Sequence, residues 1–103
     1  MNATCVRVPV LRAHSEALNI RFSKKTSVQE IYEVLRSAPG VQILEEPSKN
    51  RWPMPIDASG KDPVLVGRIR KDQSQDNTFD LWVVGDQIRK GAALNAVQIA
   101  ELL

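Results

Sequence analysis

VLVGRIRKDQSQDNTFDLWVV, residues 64–84, contains two apolar, β-branched-rich runs, Val64 to Ile69 and Phe79 to Val84, on either side of the polar stretch KDQSQDN. Two such runs about a solvated connection predict a pair of strands. Upstream, Val41 to Leu44 is a short strand candidate. Between it and the pair, Glu45 to Pro63 carries Pro47, Pro53, Pro55, Gly60 and Pro63 and predicts a long loop. Loops of that length are often functional or pack on a neighbour, and Trp52 and Met54 are its apolar anchors. Further out, Leu18, Ile20 and Phe22 interleave with Ala17, Asn19 and Arg21, the alternation of a half-buried strand. Thr4 to Val10 alternates likewise, with Val6, Val8 and Val10 opposite Cys5 and Arg7, and Pro9 marks its end or a sheet edge.

Helical periodicity occurs twice. Thr26 and Ser27 are each followed three residues later by Gln29 and Glu30, so either can open a helix with a capping box. Val28, Ile31, Tyr32 and Leu35 then form one apolar stripe, and Pro39-Gly40 ends it. Gly91 to Leu103, GAALNAVQIAELL, has Asn95, Gln98 and Glu101 as its only polar positions, which predicts a helix buried on most of its surface. No stop signal follows Leu103, and we read that end as a truncation.

The length of 103 residues allows one domain, residues 1–103. A chain this short buries only about 60–68% of the surface its unfolded form exposes, so a covering domain or subunit would add stability. Fourteen basic against twelve acidic residues give a net charge of +2, without a basic block, and the aromatics do not interleave with basic residues. Nucleic acid is therefore a poor partner. The longest apolar run, Leu81 to Val84, is far below the ~18 residues of a membrane helix. With no signal peptide visible and one cysteine, Cys5, neither an internal disulfide nor a cysteine metal cluster can form, and a reducing cytoplasm fits best.

The polar groups able to carry chemistry are Cys5, Arg7, His14, Arg68, Arg70 and Asp86-Gln87 with Arg89-Lys90. On spacing alone Cys5 is a buried structural thiol, because a nucleophile needs a base or a positive field to hold it as thiolate. His14, the one histidine, can exchange a proton at neutral pH. Arg7 can present a planar fork to a carboxylate, although a surface ion pair is the commoner use. Arg68 and Arg70 share a strand face, usually a solvated one, and Gln87 precedes the last helix, where donors can meet a ligand. Composition and periodicity reach a small α/β domain with an anionic site and go no further.

Three strings taken together go further: TCVRVPVLRAHSEALNI at 4–20, VGRIRKD at 66–72 and LWVVGDQIRKGAALNAVQIAELL at 81–103. In combination they resemble the C-terminal part of bacterial aspartate-semialdehyde dehydrogenase over nearly the whole chain. The resemblance implies an α+β fold, a mostly antiparallel sheet with helices on one face, that builds part of an active site and of a dimer or higher homo-oligomer. It implies NADPH-dependent reduction of L-aspartyl 4-phosphate to L-aspartate 4-semialdehyde and phosphate, on the path to lysine, threonine, methionine and isoleucine. By motif, Arg7 is then the binder of the substrate carboxylate, His14 the acid/base, and Gln87 a contact to NADP. The family's nucleophile lies in an upstream Asn-Cys motif and its NADP site in an N-terminal Rossmann unit. Neither is present in these residues, so Cys5 is not promoted to nucleophile and the chain is expected to be inactive alone. The rival reading is a non-catalytic paralogue that keeps the sheet as an oligomerisation module.

Overall fold

The two runs about KDQSQDN pair antiparallel, and the rest of the sheet is laid down on either side of them. In the computed structural model, which describes residues 2–103, the strands are β1 (His14–Arg21), β2 (Val41–Ile43), β3 (Val64–Lys71) and β4 (Thr78–Gly85), in the order β1-β4-β3-β2. β1 and β3 flank β4 antiparallel, whereas β2 runs parallel to β3. This mostly antiparallel α+β sheet is the expected one.

The alternation along β4 divides the interior into two clusters. Phe79, Leu81 and Val83 face a cluster with Val66, Ile69 and Ile31, while Trp82 and Val84 face a second with Leu65, Ala13 and Ala58. Helix α1 (Val28–Ser37) covers the first face with Val28, Ile31, Tyr32 and Leu35. Ser27 caps it: the hydroxyl accepts from the Glu30 amide at 3.2 Å, and the Glu30 carboxylate accepts from the Ser27 amide at 2.7 Å. Asn77 fastens the approach to this helix, accepting from the Thr26 amide and donating to the carbonyls of Phe22 and Lys24.

The expected loop 45–63 has a topological cause. Parallel neighbours such as β2 and β3 cannot be joined by a hairpin and need a crossover of about a dozen residues or more. This crossover carries a 3₁₀ turn (Pro47–Lys49) and the single-turn helix α2 (Pro55–Ala58), and it covers the sheet's second face. Fully buried Ala58 packs with Leu65 and Val84, and the Trp82 indole N–H donates to the Pro53 carbonyl at 3.0 Å. The neighbour on which the loop packs is thus the chain itself.

Three expectations are corrected. Thr4 to Val10 forms no strand: it pairs with nothing among the described residues, and Val6, Val8 and Val10 are exposed. A strand needs a ladder partner as well as an alternating pattern, and Pro9 removes one donor. Cys5 is consequently exposed instead of buried. The last helix, α3, spans only Leu94–Ala100, because a turn at Arg89–Ala93 leaves helical geometry at Lys90 to Ala92, where Gly91 has φ +99°. Two of its large apolar residues are not covered: Val97 is 55% and Ile99 56% exposed, since α3 packs chiefly on that preceding turn.

Candidate functional site

The β1–β4 ladder closes with His14 opposite Gly85, and the segments continuing past that pair hold the candidate residues. Gln87, half-buried two residues beyond β4, accepts the Ala13 amide proton on its Oε1 at 2.9 Å. The sheet end therefore brings together two of the three residues singled out by sequence, Gln87 and exposed His14. No hydrogen bond or ion pair among the described residues joins Arg7 to them. It sits in the exposed N-terminal segment with no ion pair or side-chain hydrogen bond among the described residues.

Asp86 lies between Gly85 and Gln87 and is fully buried. Its Oδ2 is 2.7 Å from Arg12 Nε and accepts the Gly60 amide proton at 2.7 Å, while Oδ1 accepts that of Ile88 at 3.0 Å. Burial pushes this carboxyl up, but the two amides and the Arg12 charge outweigh it and hold the group below its ordinary value. Sequence reasoning named Asp86 only as a member of a charged cluster and passed over Arg12. An aspartate directly after an apolar, buried strand was the available signal. The cluster itself does not hold together: Arg89 pairs with Asp62, and the Lys90 ammonium donates to Gln98 at 2.6 Å.

Arg68 and Arg70 are both exposed but take different partners. A bulge places Arg68 and Ile69 opposite Leu81 alone, with Arg68 in the left-handed region at φ +55°. The Arg68 guanidinium stacks 5.0 Å from the Trp52 ring centroid, and Arg70 pairs with Asp80 at 3.1 Å. In the same hollow Tyr32 donates to Glu45, whose other oxygen accepts the Ile69 amide proton at 3.1 Å. Burial, reinforced by the Glu45 carboxylate, pushes the Tyr32 hydroxyl up to about 12. Glu45 thus satisfies the bulged edge of β3, which accounts for this polar group structurally. Among the described residues no three of His, Cys, Asp and Glu converge as metal ligands, and no helix is long and apolar enough to cross a membrane.

Residues 1–90 match the family model described as semialdehyde dehydrogenase, dimerisation domain. Over 103 residues the chain is 62% identical to the aspartate-semialdehyde dehydrogenase of Synechocystis sp. and 59% identical to that of Prochlorococcus marinus, spanning all of this chain and 30% of each relative. Among solved structures, aspartate semialdehyde dehydrogenase II of Vibrio cholerae complexed with ASA superposes with a TM-score of 0.88 at 44% identity, over 97% of this chain and 29% of that one. The sheet order, the two-sided core and the match along most of its length agree: this chain belongs to the semialdehyde dehydrogenase dimerisation-domain family.

Proposed function

We propose that residues 1–103 form part of the C-terminal catalytic and dimerisation domain of an aspartate-semialdehyde dehydrogenase of the cytoplasm. The reaction is NADPH-dependent reduction of L-aspartyl 4-phosphate to L-aspartate 4-semialdehyde and phosphate, in the biosynthesis of lysine, threonine, methionine and isoleucine. The observation that carries this reading is the Ala13–Gln87 hydrogen bond, which sets Gln87 beside the residue preceding His14 at one end of the sheet. An oligomerisation module has no physical need for an exposed imidazole one residue from that bond.

For the cofactor the chain offers one fitting contact. Ala13 engages Gln87 Oε1 and orients the carboxamide, leaving its NH₂ free to donate. NADPH when bound supplies the hydride, and the dinucleotide site and the nucleophilic cysteine belong to other parts of a longer chain. His14 takes the proton of the attacking thiol and later exchanges one with the hemithioacetal oxygen. Arg7 holds the substrate carboxylate through its planar fork.

In the intact enzyme, His14→Ala should lower kcat by about 10²–10⁴-fold, the usual range for a positioned acid/base, with a modest change in KM. Arg7→Ala should mainly raise KM for L-aspartate 4-semialdehyde. Small and equal effects of both substitutions in steady-state assays would remove the assigned roles and leave the oligomerisation module as the better reading.

A further inference from the structure

Beyond His14 and Gly85 the pairing of the two chain segments continues through side chains. Gln87 takes the amide of Ala13, and Asp86 takes the guanidinium of Arg12, so consecutive residues on one side meet consecutive residues on the other. The residue held between these grips is strained: Ala13 has φ +80°, a left-handed conformation that a residue with a Cβ rarely adopts. Such a conformation persists only where its surroundings over-determine it. Here they do, because Ala13 is also buried against Ala58, Leu65 and Val84.

We propose that Asp86 is a positioning residue for His14, fixing through Arg12 the strained turn from which the imidazole leaves the sheet. The proposal rests on the acid/base reading of His14. Asp86 is fully buried and touches no reacting group, so it can act only through what it holds. It holds the crossover at Gly60, the start of the last turn at Ile88, and Arg12. The Gly60 and Ile88 amides serve the sheet end, whereas the contact to Arg12 is the one that reaches the segment before His14. Of these partners Arg12 is the one that leads into His14, and the adjacent Gln87 holds Ala13 between them.

The test is a double-mutant cycle in the intact enzyme. Asp86→Asn keeps the shape and removes the charge that holds Arg12. It should lower kcat about 10- to 100-fold, the scale on which a misplaced reacting group falls, with KM for L-aspartate 4-semialdehyde near that of the parent. In the His14→Ala background the same substitution should add almost nothing, because the group it positions is gone. Arg12→Met, which breaks the pair from its more exposed side, should behave in the same way and serves if Asp86→Asn does not fold. A folded variant with unchanged kcat, or with an undiminished loss in the His14→Ala background, overturns the proposal. An unchanged kcat in His14→Ala alone would instead overturn the acid/base reading beneath it.

Discussion

A methyl group at Gly67 has no room. Built on this backbone, its Cβ would stand 2.7 Å from Pro53 Cδ and 2.9 Å from the Leu44 carbonyl oxygen. Gly67 is therefore the point where the crossover lies directly on β3, opposite Trp82, whose indole fixes the same Pro53. Gly67→Ala should cost about 1–3 kcal/mol, the usual penalty for overpacking a rigid site. Urea denaturation checks it, and an unchanged midpoint would show that the crossover can move away. Nothing local in VLVGRIRK distinguishes this glycine from a merely tolerated one. Its reason comes from a segment more than ten residues away in sequence. His14 and Gln87 are singled out only by the resemblance, and the bond through Ala13 and the grip of Asp86 on Arg12 are not legible at all, because a strained φ and a long-range ion pair leave no periodic trace.

At the scale of elements, the most legible was α1. A capping pair, an apolar stripe and a Pro-Gly stop all act within one turn of the residues that carry them, and each appears in the structure where the spacing puts it. The choice between Thr26 and Ser27 was the open point, and Ser27 is the cap because Asn77 takes the Thr26 amide instead. Ser27→Ala should destabilise the fold by about 0.5–2 kcal/mol, as loss of an N-cap does. The penalty should also depend on pH. The Ser27 hydroxyl, helped by the Ser27 amide, holds the Glu30 carboxyl below its ordinary value. A depressed carboxyl adds stability that is present above its unfolded value and lost as pH falls through the folded one. The gap between parent and variant should thus narrow in acid, and thermal melts across that range that stay parallel would refute the reciprocal cap. Thr4 to Val10 and α3 were misread for the opposite reason: their patterns are sound, but what would cover them is not in the local sequence.

For the whole molecule, the radius of gyration of 14.6 Å exceeds the about 13 Å of a compact domain of about 100 residues. Both ends carry exposed apolar residues. Val6, Val8 and Leu11 at one, and Val97, Ile99, Leu102 and Leu103 at the other, are exposed on segments that lie outside both core clusters. Apolar surface of this kind favours association where it forms a patch. The isolated 103-residue chain should consequently show concentration-dependent association by light scattering. It should show no turnover of L-aspartate 4-semialdehyde with phosphate and NADP⁺, because its one thiol, Cys5, is exposed on a segment that joins no strand among the described residues. Replacing Val97 and Ile99 together by lysine should reduce the association while leaving the thermal transition in place, since neither residue contributes to the sheet core. A chain that stays monomeric at all concentrations would mean that the ends fold back onto the sheet in solution. Turnover abolished by Cys5→Ser would mean that the nucleophile is here after all, and the proposal that it lies in another part of a longer chain would fall.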